Sequence, residues 1–251
     1  MTRVCDIDLF MSEWADKRLS EEWDNDGVML CADVKGEVKK VLVCLEINKE
    51  AALFAKNSGC DLIVTHHPYI FRPLKNICGV DYEIASIFIK GGISVLSYHT
   101  RLDAAQGGVN DTLAKTFGLC NVESFSALGR VGHLEREMDE EEFFSFVKQK
   151  LSCDILRTSK LTGKKIKKVA VTGGAGKDFL FDAAGVADAY ITGDLSHNAF
   201  ISANELGLLA VDAGHYHTEN PVTIEIAKRL SENFPEIDVT VFDCLCPFSN
   251  F

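Results

Sequence analysis

VLVCLEINKEAALFAKNSGCDLIVT, residues 41–65, holds one complete unit of the pattern on which the fold rests. A β-branched and Leu-rich run over 41–47 predicts a strand. The Ala-, Leu- and Lys-bearing stretch over 49–58 predicts a helix, and the apolar run over 62–65 predicts a second strand. Strands without alternating polar residues are those buried on both faces, as in a parallel sheet covered by helices. Working outward, the same rhythm gives a helix over 82–90, a strand over 94–98 and a helix over 109–117. Upstream lie an amphipathic helix over 8–19, the turn chemistry of Trp23-Asp-Asn-Asp-Gly27 and a strand over 28–31. This is the alternation of βαβ units.

The rhythm breaks around 124–132. A strand over 130–134 then leads into a helix over 139–151 whose acidic first turn suits the helix dipole. A strand over 155–157 and a basic turn over 160–168 follow, and βα alternation resumes. Strands are expected over 169–172, 189–192, 209–212 and 239–242, with helices over 178–184, 198–206 and 221–233. The expected architecture is two α/β domains, 1–125 and 126–251, with largely parallel or mixed sheets flanked by helices. The last helix and strand are expected to pack back on the first domain, and an old duplication would account for two such halves.

Composition narrows the function. The 251 residues carry 26 Lys plus Arg against 37 Asp plus Glu, a formal charge of −11, and are 47% apolar. Such a chain buries an ordinary core, and its acidity argues against strong binding to a phosphate backbone. The nine cysteines are scattered with no CxxC pair, which fits small buried hydrophobes in a reducing cytoplasm rather than a zinc finger or disulfide framework. With no signal-like leader and no run of eighteen apolar residues, a cytoplasmic location and no membrane partner are expected.

Five of the seven histidines fall in three short segments, each just past the end of an expected strand: Thr65-His-His-Pro68, His99-Thr-Arg-Leu-Asp103 and Gly214-His-Tyr-His-Thr-Glu219. In open α/β sheets, ligands bind outside the carboxyl ends of strands, so segments distant in sequence can serve one site. Adjacent imidazoles on a regular strand would diverge, so His66 and His67 are expected to serve one each of two neighbouring ions. Asp103 supplies a bridging carboxylate, and His215 with Glu219 adds a nitrogen and a carboxylate. Three imidazoles and two carboxylates suit zinc, manganese, iron, cobalt or nickel better than calcium. His99 is the candidate catalytic acid or base, or equally a group that orients a ligand carboxylate. His217 is a weaker alternative; His197 with Asp194 is expected to line the cavity, and His133 to be structural. Thr172-Gly-Gly-Ala-Gly-Lys177 matches neither a Walker A nor a dinucleotide fingerprint. It reads as a tight βα turn, or as backbone amides and Lys177 holding a phosphate.

The stretches DLIVTHHP (61–68), HTRLDAAQGGVND (99–111), AYITGD (189–194) with His197, and DAGHYHTE (212–219) resemble the Nif-three-like dinuclear metal proteins, known as GTP cyclohydrolase 1 type 2 homologues. The resemblance runs from near residue 20 to the C-terminus. It implies two divalent metal ions per subunit, held between two α/β domains by His66, His67, Asp103, His215 and Glu219. It also implies a toroidal homohexamer. Longer relatives carry an inserted domain that this chain lacks, and Arg101 stands where a smaller polar residue is usual, a cation that can alter substrate choice. The implied activity is that of a metal-dependent hydrolase acting on a nucleotide, heterocycle or phosphoester, with a small anionic substrate. The alternative is a non-catalytic metal-binding, metal-chaperone or regulatory protein.

Overall fold

The computed structural model describes residues 1–248, which divide into two compact units: residues 1–106 with 222–245, and residues 107–221 with the segment from Cys246. The chain begins with α1 (Val4–Trp14), β1 (Gly27–Leu30), β2 (Lys40–Cys44), α2 (Lys49–Asn57) and β3 (Leu62–Thr65). Next come α3 (Gly79–Gly91), β4 (Ser94–Ser97), α4 (Thr100–Ala104), α5 (Val109–Thr116), β5 (Cys120–Phe125), β6 (Gly129–Met138) and α6 (Glu140–Leu151). The remainder is β7 (Arg157–Thr158), β8 (Ile166–Ala175), α7 (Leu180–Ala184), β9 (Ala189–Gly193), α8 (His197–Leu206), β10 (Leu209–Asp212), α9 (His215–Glu219), α10 (Pro221–Asn233) and β11 (Asp238–Val241). The two α/β units with mixed sheets match the expected fold class.

In the first unit the sheet order is β1-β4-β3-β2-β11, with β1 antiparallel to β4 and the other pairs parallel. Every residue of β3 and β4 is buried, which is why these strands read as unbroken apolar runs. Ala51, Ala52 and Ala55 of α2 and Ile84 and Phe88 of α3 pack with Leu42, Ile63 and Val95. Elsewhere in this unit, Phe10 meets Phe234 edge-on at 5.6 Å and the Arg229 guanidinium lies over Trp14 at 4.1 Å, tying α1 to α10. The α2 start is fixed by Asn48, whose side chain accepts from Ala51 N. Gly92, at φ 66°, closes α3.

In the second unit the order is β5-β6-β8-β9-β10-β7; β8, β9 and β10 are parallel and the outer pairs antiparallel. Side chains alternate between two cores with the period of a strand. Val169, Val171, Ile191, Leu209 and Val211 pack with Leu113 and Phe117 near α5 and with Phe143 and Val147 of α6. The intervening Ala170, Tyr190 and Ala210 pack with Leu180, Ala183 and Ala203 of α7 and α8.

The two units repeat one local device. Asp61, just before β3, accepts the amides of Lys39 and Lys40 at 2.8 and 2.9 Å. Asp188, just before β9, accepts those of Lys167 and Lys168 at 3.0 and 2.8 Å. Each carboxylate therefore clamps the start of its neighbouring strand.

Several elements differ from expectation. β5 is exposed along most of its length, so it lacks the apolar run that marks a strand; the break in rhythm near 125 is the β5–β6 hairpin. α4 and α9 are single turns, too short for a hydrophobic period to show. α1 starts at Val4 because Arg3 and Asp6 form a reciprocal cap, and it stops at Trp14, with a separate 3-10 turn at Lys17–Leu19.

Arg101 is 2% exposed and points into the first unit, not toward a substrate. Its Nε lies 3.1 Å from Asp26 Oδ2, and its guanidinium sits 4.4 Å from the centre of the Tyr98 ring. The expected influence on substrate choice is thus replaced by a structural role. Arg101→Ala should destabilise the protein by about 3–5 kcal/mol in urea unfolding, because it leaves Asp26 buried without its countercharge.

Candidate metal centre

Each unit assembles its own set of residues at strand ends. In the first, β3 stops at Thr65, whose hydroxyl donates to the His67 carbonyl at 2.8 Å, while His67 N donates to Leu45 O at 2.8 Å. The chain bends off the sheet at once. The divergence expected of neighbouring imidazoles therefore does not occur, since His67 no longer continues the strand. The His66 and His67 rings lie 5.1 Å apart, 37° between planes, and one ligand atom each from His66, His67 and His99 lies within 4.8 Å of the others. Such a group can bind a metal ion. His99 caps α4, and Asp103 follows one turn later, with Oδ1 3.5 Å from His66 Nε2.

All three rings are held the same way. His66 Nδ1 donates to Tyr98 O at 3.0 Å, His67 Nδ1 to Glu46 Oε2 at 3.3 Å and His99 Nδ1 to Asp24 Oδ1 at 2.8 Å. An imidazole that donates through Nδ1 keeps the Nε2 lone pair for a cation, and its ring orientation is fixed. Asp24 has a fully buried side chain. Burial pushes its carboxyl up, but hydrogen bonds from His99 and from the Thr100 hydroxyl and amide outweigh that and hold it well below the usual carboxylate range. The carboxylate behind His99 is thus ionised.

In the second unit, α9 places His215 and Glu219 four residues apart on one helical face. His215 Nε2 lies 2.9 Å from Glu219 Oε2, and His215 Nδ1 donates to Asp194 Oδ2 at 2.8 Å. With Nδ1 given to Asp194, an imidazole nitrogen and a carboxylate oxygen face one another, a donor pair that fits a divalent ion. Asp212 anchors both flanking loops by accepting from Leu195 N at 2.9 Å and Gly214 N at 3.0 Å.

The glycine-rich stretch ends in a tight βα connection, with Gly176 alone between β8 and a 3-10 turn at Lys177–Phe179. β8 continues through Gly173 and Gly174 to Ala175. Gly173 N donates to Asn110 Oδ1, Gly174 N to Thr218 Oγ1 and Gly176 N to Thr192 Oγ1, so these amides are already engaged. The glycines instead make room for Glu219 and His215. A Cβ on Gly174, at φ 62°, would collide with Glu219 Oε1 and come within 3.2 Å of His215 Nε2, and one on Gly193 would meet His215 N at 2.6 Å.

Of the other sequence candidates, His197 is exposed at the start of α8, and Asp194 pairs with His215. His217 is half-buried beside the Tyr216 ring at 5.1 Å. His133 lies in β6. Sequence reasoning missed Asp24, Glu46 and Gly174. In sequence Asp24 reads as part of a turn, and Glu46 follows a strand with nothing in its spacing to link it to His67. Gly174 draws attention to its amide rather than to its missing side chain.

These are two α/β units whose strand ends carry paired imidazoles and carboxylates suited to divalent metal. The Duf34/NIF3 (NGG1p interacting factor 3) family model matches residues 2–245, and the chain belongs to that family. It is 34% identical over 242 residues to a "GTP cyclohydrolase 1 type 2 homolog" of Clostridium perfringens, covering 92% of each chain. Among solved structures it resembles reduced HcgD from Methanocaldococcus jannaschii at 32% identity, with a TM-score of 0.83 and coverage of 96% of this chain and 97% of the other. The fold also matches a NIF3-related protein of Bacillus cereus at 23% identity, TM-score 0.91, over 100% and 99% of the two chains.

Gly174→Ala and Gly163→Ala both place a side chain at positive φ, but only the first meets Glu219 and His215; nothing lies within 4 Å of a Cβ at Gly163. Gly163→Ala should cost about 1 kcal/mol of stability. Gly174→Ala should cost more and also reduce zinc or manganese uptake. Equal metal uptake by the two variants would show that Glu219 does not need that space.

Proposed function

We propose that the chain is a divalent-metal-dependent hydrolase in which His66, His67 and Asp103 of the first unit, and His215 and Glu219 of the second, hold two ions. The observation that carries this reading is the shared arrangement of the imidazoles: each gives Nδ1 to an acceptor in its own unit, and in His66 and His215 the Nε2 lies beside a carboxylate. A purely structural histidine has no need of a carboxylate at both ring nitrogens, as His215 has. The membership of the family and the name of the Clostridium perfringens relative support the same direction.

Two divalent ions in such a centre supply Lewis acidity, activating water near neutral pH and polarising the bond under attack. The protein's own contribution is orientation and proton handling. Glu46, Asp194 and the Tyr98 carbonyl fix the ligand rings. The ionised Asp24 holds His99 with Nδ1 protonated, so His99 Nε2 is the atom that takes up a proton during attack and returns it to the leaving group. Substrates of this chemistry are small and anionic, a nucleotide, heterocycle or phosphoester, because bound dications reverse the local sign of an acidic protein.

The homohexamer belongs to the same proposal. Val80, Tyr82 and Ile89, all on α3 and each more than half exposed, support self-association, and light scattering reads it directly. No helix among the described residues is long and apolar enough to cross a membrane.

His66→Ala and Glu219→Ala should each lower bound divalent metal, measured by elemental analysis on folded protein. Unchanged stoichiometry in both would remove the assignment. Turnover of a nucleotide or phosphoester panel should vanish with chelator and return with manganese or zinc. Full metal loading with no turnover across the panel would favour the metal-binding or chaperone reading.

A further inference from the structure

Two large aromatic side chains stand exposed beside the histidine cluster of the first unit: Trp23 at 61% and Phe71 at 42%. Their rings meet edge-on, 5.9 Å between centroids and 76° between planes. Each also meets His99 at a steep angle, Trp23 at 6.3 Å and 77°, Phe71 at 5.9 Å and 89°. None of the three is stacked face to face on another. Exposed aromatic surface is unfavourable, and rings in water gain by stacking on a planar partner.

The two rings come from different loops, yet those loops are tied to their surroundings. Asn25 Nδ2 donates to Ile70 O, which joins the loop carrying Trp23 to the one carrying Phe71. Asp24, next to Trp23, is bound by His99 and Thr100. Loops tied down before a ligand arrives lose little conformational freedom on binding it, as expected of a recognition surface and not of a stray apolar patch.

We propose that Trp23 and Phe71 form a stacking platform for a planar heteroaromatic ring, such as a nucleobase, at the mouth of the His66–His67–His99 cluster. The ring lies against the two aromatic side chains, and an anionic group on the same molecule extends toward the imidazoles. The placement of that anionic group rests on the metal-dependent reading above; the stacking does not. Trp23 and Phe71 are thereby specificity-determining residues that select flat ligands over aliphatic phosphates.

Trp14 and Trp23 are the chain's two tryptophans, so in a Trp14→Phe background the emission reports Trp23 alone. Titration with GMP and with UMP should quench it saturably, in chelated as well as manganese-loaded protein, whereas ribose 5-phosphate should leave it unchanged. Adding Phe71→Ala should weaken the affinity roughly tenfold, the typical loss of one stacking partner. Absence of saturable quenching by both nucleotides, equal quenching by ribose 5-phosphate, or an affinity untouched by Phe71→Ala would each overturn the platform. So would a change of oligomeric state in Trp23→Ala without nucleotide quenching, which would make the rim a contact between copies. Metal content decides the other reading separately: a native chain that is quenched by nucleotide yet takes up neither manganese nor zinc would leave the platform standing and the hydrolase proposal fallen.

Discussion

The chemistry of this molecule depends on a single constraint, the commitment of each imidazole's Nδ1 to an acceptor within its own unit. His66 gives it to the Tyr98 carbonyl, His67 to Glu46, His99 to Asp24 and His215 to Asp194. A free imidazole interconverts between tautomers and rotates about its side-chain bonds. Here a hydrogen bond selects one tautomer and one orientation, leaving Nε2 as the atom that can act. Three of the acceptors are carboxylates, Glu46, Asp24 and Asp194.

The acceptors are in turn placed by the sheets. Thr65 and Tyr98 follow directly from parallel strands buried on both faces, and Tyr98 N donates to Thr65 O as the register of β3 and β4 runs out. In the second unit, Asp212 ends β10 and, by accepting from Leu195 N and Gly214 N, organises the segments next to Asp194 and His215. Backbone must approach closely there, and Gly174 and Gly193 permit it. Rigidity of the scaffold and precision of the side chains are thus parts of one arrangement.

Much of this was legible in the sequence because its causes are local or periodic. Buried parallel strands such as Leu62–Thr65 and Leu209–Asp212 announce themselves as short apolar runs, and residue types at strand ends named the metal candidates. What was not legible depends on distant partners. Asp24 lies 75 residues from His99 along the chain, and nothing near it in sequence distinguishes it from a turn former. Whether His66 and His67 diverge or converge turned on two hydrogen bonds at a strand end, and the role of Arg101 on a buried partner, Asp26. The glycines of β8 misled in a different way: their clustering between a strand and a helix suggests a ligand for the backbone, whereas the need is for empty space beside Glu219.

The parallel pairing of β11 with β2 joins Asp238 to Lys40 and Val241 to Val43. That register carries a temporal meaning. As the chain leaves the ribosome, residues 107–221 form a contiguous stretch that can collapse by itself, whereas the first sheet must wait, one edge open, for a strand about two hundred residues behind. Loop closure over that span is slow and entropically costly. During synthesis, then, the histidines that follow β3 and β4 border an unfinished sheet, and the half of the protein made first is the half completed last.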